Sequence, residues 1–211
     1  MSFAQELADV LPADLPNREI VVEKAAKHLD LIVEANRNFN LTRITDAREA
    51  AIKHVLDSVM PWRLFASATQ VLDAGSGAGF PGIPLALVLP SINFFLSESI
   101  GKKARFIEHA VGNLDLANAV VAAERAEEVL RARGPCVITA RAVAPINRFI
   151  ALFGTALKQG SKAILYKGPD AQMEIEAASA ELRKQRLRAQ IVERYELPEA
   201  LGSRTIVEIT G

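Results

Sequence analysis

One stretch limits what this chain can fold into more than any other: Val71-Leu72-Asp73-Ala74-Gly75-Ser76-Gly77-Ala78-Gly79-Phe80-Pro81-Gly82-Ile83-Pro84. A short apolar run ends in an acid, a glycine-rich turn follows, and a proline stands where a helix would begin. That order reads as strand, tight loop, helix. Glycine admits positive φ and lets a ligand approach bare backbone. The first helical turn then offers unpaired N–H groups, and Pro84 suits an early helical position, where its missing N–H costs little. Such a loop belongs at the carboxyl end of a parallel strand, where open α/β sheets bind ligands. Four glycines between Gly75 and Gly82 are costly in chain entropy, so a turn without a ligand is the weaker reading.

Two cofactor classes use loops of this kind. A dinucleotide fold wants G-x-G-x-x-G directly after the strand. Counted from Gly75, that pattern fails at Phe80. Counted from Gly77 it is met by Gly77, Gly79 and Gly82, but it then starts late and leaves Asp73 without a role. The alternative, D-x-G-x-G-x-G, is filled by Asp73, Gly75, Gly77 and Gly79, with Ser76 inside the turn. It resembles the first motif of class I S-adenosylmethionine (SAM) methyltransferases. A strand-end carboxylate can hold the cationic methionine part of SAM.

The remaining chain supports a doubly wound α/β sheet. From Gln70 onward strands and helices alternate: Val71–Ala74, helix Ile83–Leu89, Asn93–Ser97, helix Lys102–Leu114, Ala119–Ala123, helix Ala126–Arg131, Cys136–Ala140, helix Pro145–Leu157, Lys162–Lys167 and helix Ala171–Lys184. Two last runs, Ala189–Tyr195 and Thr205–Ile209, read as a closing antiparallel pair. Repeated βα units imply a mostly parallel sheet with right-handed crossovers. Before Gln70 the texture is helical. Phe3, Leu7, Val10 and Leu11 share one face, and Pro12 and Pro16 end that helix. Asn17 is placed to cap a second helix, whose stripe runs through Val21, Ala25, Leu29 and Ile32. Asn36–Thr42 reads as a polar loop, and a third helix covers about Ala47 to Val59. Residues 1–68 are therefore expected to form a helical subdomain, and residues 69–211 the cofactor-binding domain.

Composition narrows the class. Half of the 211 residues are hydrophobic, enough for a sizeable core and against disorder. Formal charge is zero, which argues against a general polyanion binder but leaves room for a local basic face. The single cysteine, Cys136, excludes an internal disulfide and fits a reducing compartment. Early acids (Glu6, Asp9, Asp14, Glu19) speak against a signal peptide, and no apolar run approaches a membrane span. A cytoplasmic, soluble monomer is the expectation. His28, His54 and His109 lack metal-ligand spacing, so no metal is expected.

Several positions carry chemistry. Glu98 ends the second strand about 20 residues beyond the glycine loop, where a carboxylate can accept from ribose hydroxyls. Glu124-Arg125-Ala126-Glu127 follows the third strand, where Ala126 and Glu127 can read the adenine edge or simply cap a helix. Arg141 follows the fourth strand and can meet the cofactor carboxylate, a phosphate or solvent. The loop lacks the Asn/Asp-Pro-Pro-aromatic motif of exocyclic-amine methyltransferases. Cys136 opens its strand rather than ending it, far from the cofactor, and reads as a small buried hydrophobe. Between Val129 and Pro169 there are seven cations and no acid. Of these, Arg141 and Lys167 stand at the cofactor end, and Lys102, Lys103 and Arg105 can extend a phosphate-binding surface.

Asn40-Leu41-Thr42-Arg43-Ile44, His54-Val55-Leu56-Asp57-Ser58, Asp73–Pro84, Ser97-Glu98-Ser99-Ile100-Gly101-Lys102-Lys103, Arg141-Ala142-Val143-Ala144 and Lys167-Gly168 together resemble the RsmG (GidB) methyltransferases. The resemblance spans nearly the whole chain. It implies SAM-dependent methylation of guanine N7 in the 530 loop of bacterial 16S ribosomal RNA. It implies cofactor contacts at Gly75, Phe80, Ala126, Glu127 and Arg141. It also implies that Asn36–Arg43 and His54–Ser58 face the cofactor mouth, making Asn40, Arg43 and His54 candidates to meet RNA. Glu98 departs from the family's more usual Asp, although a carboxylate is kept. The partner is then 16S rRNA, free or within a small subunit or its assembly intermediate. No catalytic side chain is expected, because holding an activated methyl in line with N7 suffices. Other readings are a methyltransferase of another RNA, a protein or a small molecule, an NAD-dependent oxidoreductase, and a non-catalytic SAM-binding RNA module.

Overall fold

The computed structural model describes residues 1–211 apart from Pro135 and Val143. Among the described residues seven strands form one sheet: β1 (Gln70–Ala74), β2 (Asn93–Ser97), β3 (Ala119–Ala122), β4 (Val137–Arg141), β5 (Lys162–Lys167), β6 (Arg188–Glu196) and β7 (Ser203–Thr210). Their spatial order is β3-β2-β1-β4-β5-β7-β6. β1 to β5 are parallel, and β7 inserts antiparallel beside β5, with Tyr166 opposite Ile206. The order reverses between β1 and β4, so their carboxyl ends form the switch point at which such sheets bind ligands.

Alternation along the strands decides which helices cover which face. Val71, Phe94, Leu96, Ile164 and Tyr166 point to one side, into a core shared with α1 (Phe3–Val10), α2 (Arg18–Asn36), α5 (Gly82–Val88) and α6 (Gly101–Asn113). Leu72, Phe95, Ile138, Ala163 and Leu165 point to the other, against α7 (Ala126–Arg133), α8 (Ile146–Lys158), α9 (Ala171–Ala177) and α10 (Ser179–Gln185). The N-terminal helices therefore continue the core of one sheet face.

Local details depart from the sequence expectations. Asn17 precedes α2 as expected, but with φ 54° and no side-chain cap; its amide donates to the Val88 carbonyl at 3.1 Å and ties α2 to the end of α5. The helix expected over Ala47–Val59 consists of α3 (Ala47–Ala50), a π-helical stretch (Ala51–Leu56) and α4 (Asp57–Val59). The helix expected over Ala171–Lys184 breaks at Ala178 into α9 and α10.

Candidate active site at the carboxyl end of the sheet

The glycine loop follows β1, with Gly75, Gly77 and Gly79 at φ 75°, 62° and 95°. These are left-handed values that favour glycine. At Gly79 a side chain would also collide with Ile83, 2.5 Å from the position a Cβ would take. Beside Gly77 the nearest atom to such a Cβ is 3.9 Å away, an ordinary contact, so only the positive φ there calls for glycine. Asp73 lies beneath the loop, fully buried. Its Oδ2 accepts from the Gly82 N–H at 3.0 Å, a carboxylate set at the positive end of α5. Its Oδ1 is buried with no hydrogen-bond partner. Burial raises the Asp73 pKa to about 6. Ser76 is buried too, its hydroxyl donating to the Asp73 carbonyl at 3.2 Å.

Glu98 follows β2 directly and spans the loop from the side. Its Oε2 accepts from the Gly77 N–H at 3.1 Å and its Oε1 from the Ile100 N–H at 2.8 Å. Gly75, Glu98, Ala126 and Glu127 line one narrow cavity of about 100 Å³, although they come from three separate stretches of chain. A parallel sheet explains this meeting, since every βα loop emerges at the same edge.

Phe80 turns away from the loop mouth. Its ring stacks on His54 at 4.6 Å and lies 4.9 Å from His28, with the Arg141 guanidinium 5.4 Å from its centre. His28 bonds the Ala78 carbonyl through Nε2 at 2.9 Å, so this nitrogen donates and Nδ1 is the unprotonated one. Burial lowers the His28 pKa to about 4. His54 bonds the Thr42 hydroxyl at 3.0 Å; burial first, and the Arg141 charge second, lower its pKa to about 3. Both imidazoles are neutral struts behind the loop. His54 is itself buried, while Asn40 and Arg43 are exposed. Asn36 organises their loop, accepting from Leu41 N and donating to the Thr42 carbonyl.

Arg141 ends β4 and reaches into the N-terminal helices. Nη1 donates to the Lys53 carbonyl at 2.9 Å and to Asp57 Oδ2 at 3.3 Å. Lys53, whose carbonyl accepts this bond, lies in the π-helical stretch. Arg141 and Lys167 line a second cavity of about 470 Å³ over the ends of β4 and β5, with Tyr166, Glu174 and Arg204. Lys167 donates to the Ala144 carbonyl and to Glu174 Oε2, each at 2.7 Å. Apart from Arg141 and Lys167, the acid-free stretch scatters: Arg133 lies over the Phe95 ring and Lys162 pairs with Glu208. Lys102 and Arg105 are exposed and Lys103 half-buried; Lys102 sits 5.5 Å from the Phe39 ring centre in an open cleft with Arg105. Cys136 lies just before β4, at the far end of the sheet, its pKa raised to about 11 by burial.

Glu174, Arg204 and Tyr195 escaped sequence reading. Arg204 and Tyr195 lie in the closing antiparallel pair, yet both bond Asp57, at 3.0 and 3.1 Å. Glu174 is one of two acids on α9, and only its contacts with Lys167 and the Ile146 N–H mark it.

The residues fit SAM. The glycine turn offers bare backbone, the Glu98 carboxylate stands beside it, and Asp73 holds an unpaired carboxylate oxygen beneath the turn. Among the described residues no group of three His, Cys, Asp or Glu could hold a metal ion, and no helix is long and apolar enough to cross a membrane.

Comparison with known proteins agrees. The family profile described as rRNA small subunit methyltransferase G (GidB) matches residues 21–202. A protein of Solibacter usitatus named ribosomal RNA small subunit methyltransferase G is 60% identical over 209 residues, covering 99% of this chain and all of that protein. The protein of the same name from Carboxydothermus hydrogenoformans is 34% identical over 188 residues, covering 86% and 79%. Among solved structures, an O-methyltransferase from Bacillus cereus in complex with SAH superposes with a TM-score of 0.61 at 16% identity, covering 99% of this chain and 96% of that one. The O-methyltransferase TomG from Streptomyces achromogenes, in complex with SAM, gives 0.59 at 15%, covering 97% and 93%. At these identities the two structures speak for the fold alone.

Proposed function

The chain belongs to the rRNA small subunit methyltransferase G (GidB) family, and from that membership we infer that it is a SAM-dependent methyltransferase of 16S ribosomal RNA. We further propose that the atom methylated is N7 of a guanine in the 530 loop. The reading places the reaction in the cytoplasm, on 16S rRNA free or within a small subunit or assembly intermediate. Residues 1–68 brace the mouth of the site.

Asp73, Gly75, Ser76, Gly77, Gly79 and Glu98 would hold the methionine and ribose parts of the cofactor, and Ala126 and Glu127 its adenine. Bound there, SAM supplies a methyl group already activated on a sulfonium. Asp73 offers its unpaired Oδ1 to positive charge. Arg141 and Tyr166 stiffen the wall of the larger cavity, the Tyr166 hydroxyl donating to the Ser58 carbonyl at 2.6 Å.

One observation supports N7 over a protonated atom. The ionisable side chains lining the larger cavity are Arg141, Tyr166, Lys167, Glu174 and Arg204. The one carboxylate among them is already paired with Lys167, and burial holds the Tyr166 hydroxyl well above its ordinary pKa. None is poised as a general base near neutral pH. Guanine N7 carries an in-plane lone pair and no proton, so it needs none.

The test uses small subunits from cells lacking the enzyme, labelled SAM, and borohydride–aniline cleavage, which cuts RNA at 7-methylguanosine. A single new cleavage in the 530 loop, matching the label, is expected. Label that resists this cleavage, or maps elsewhere, overturns the assignment.

A further inference from the structure

The larger cavity holds an ion pair with unused hydrogen-bonding capacity. Glu174 Oε2 accepts from the Ile146 N–H at 3.0 Å and from Lys167 at 2.7 Å, so the carboxylate is fixed in place. No described residue donates to its Oε1. Lys167 gives two of its three hydrogens to the Ala144 carbonyl and Glu174, and one remains. The lysine side chain is 11% exposed and that of Glu174 31%, and both line the cavity. Phe149, Leu165 and Tyr166 supply apolar lining. A flat, polar-edged ring suits such a space better than a phosphate, which the carboxylate would repel.

We propose that Glu174 and Lys167 are the specificity residues that read the target base as guanine. This rests on the N7 assignment above. Guanine with N7 presented to the methyl donor has O6 next around the ring, then N1–H, then the 2-amino group. The ammonium donates its remaining hydrogen to O6. The free Oε1 accepts from the N1–H and 2-amino edge. Adenine in the same orientation reverses both groups: an amino donor faces the ammonium, and an unprotonated N1 faces the carboxylate. A site with fixed polar groups rejects such an analogue because those groups are left unpaired.

Single-turnover methylation of ribosomal RNA carrying guanosine or inosine at the target nucleotide tests this. Inosine keeps O6 and N1–H and lacks the 2-amino group. Wild type should prefer guanosine by about 5- to 150-fold, the range of one good base-edge contact. E174Q should slow guanosine methylation by a similar factor and bring the preference near unity, with SAM affinity by calorimetry unchanged. A wild type that treats the two bases alike overturns the proposal without need of any variant. An E174Q protein that binds SAM and keeps the wild-type preference overturns it as well. If the guanosine product is not cleaved as 7-methylguanosine, the N7 assignment falls and this proposal with it; cleavage with an unaltered preference removes this proposal alone.

Discussion

The Arg141 guanidinium donates to Asp57 Oδ2 at 3.3 Å, and Arg204 donates to the same oxygen at 3.0 Å. One buried carboxylate thus binds the end of β4, the N-terminal helices and the closing strand β7. Asp57 is also held through Oδ1 by the Tyr195 hydroxyl at 3.1 Å. Arg141, which the family resemblance assigns to the cofactor, is first a strut between three parts of the chain.

Replacing that strut should therefore affect stability. Arg141→Ala leaves Asp57 with Arg204 and removes bonds to a charged group and to the Lys53 carbonyl. A loss of about 1.5–3 kcal/mol in urea unfolding is expected. Lysine should restore part of it, because both bonds leave one nitrogen, Nη1, and an ammonium carries three donors of its own. If Arg141→Ala unfolds at the wild-type urea concentration and loses only SAM affinity, the strut assignment is wrong.

Asp73 should couple cofactor binding to pH. Its folded pKa is raised by burial to about 6 from 3.8. A raised folded pKa means that the native state binds the extra proton between those values. The group's stabilising contribution is therefore full below pH 3.8 and is lost as pH rises through 6. Asp73→Asn does not titrate, so above pH 6 it should unfold harder than wild type by on the order of 3 kcal/mol. It should also bind SAM weakly, and wild-type SAM affinity should fall as pH drops below about 6. Calorimetry between pH 5 and pH 8, each about one pKa unit or more from that midpoint, measures both; equal stability of the two proteins at the upper pH would contradict a buried, ionised Asp73.

Glu98 has two jobs. Both oxygens already hold backbone N–H groups of the glycine loop and of Ile100. Glu98→Ala should weaken SAM binding by about 1.5–3 kcal/mol, the range for bonds to a charged group. Glu98→Asp should recover part of it. Unchanged affinity in a folded Glu98→Ala protein would remove the ribose role.

His54 should be silent in the chemistry. With its pKa lowered to about 3, it stays neutral through the working range. The single-turnover rate at saturating SAM and RNA should be nearly flat from about pH 6.5 to 8.5, where a tuned general base would titrate. His54→Asn should lower stability and substrate affinity by removing the Phe80 stack, leaving that pH profile level. A steep rise with pH that one substitution abolishes, both affinities intact, would point to a substrate atom that must lose a proton.

Lys103 offers a cleaner electrostatic test than Arg141 or Lys167, which are both engaged within the protein. If it neutralises an RNA phosphate, Lys103→Ala should reduce the salt slope of log affinity by about 0.7–0.9 while SAM binding is kept. An unaltered slope marks it as a solvated charge.

The alternation of apolar runs and turn residues after Gln70 determined the βα order, because strand and helix periods differ and each run is local. The glycine stretch likewise determined its own left-handed loop, since only glycine takes those φ values cheaply. Glu98, Ala126 and Glu127 were legible beside it, because a parallel sheet delivers every strand end to one edge. Tertiary structure alone decided the rest. A π-helical turn differs from an α-helical one by a single residue of hydrogen-bond offset, which apolar spacing over Ala47–Val59 does not register. Arg141 and Arg204 converge on Asp57 from 84 and 147 residues away. Glu174 acquires its meaning from Lys167 and from the Ile146 N–H, which α8 brings to it. Periodicity tells which face of an element is buried; it carries no information on which polar side chain on another element will arrive opposite, because that is set by how the helices pack on the finished sheet.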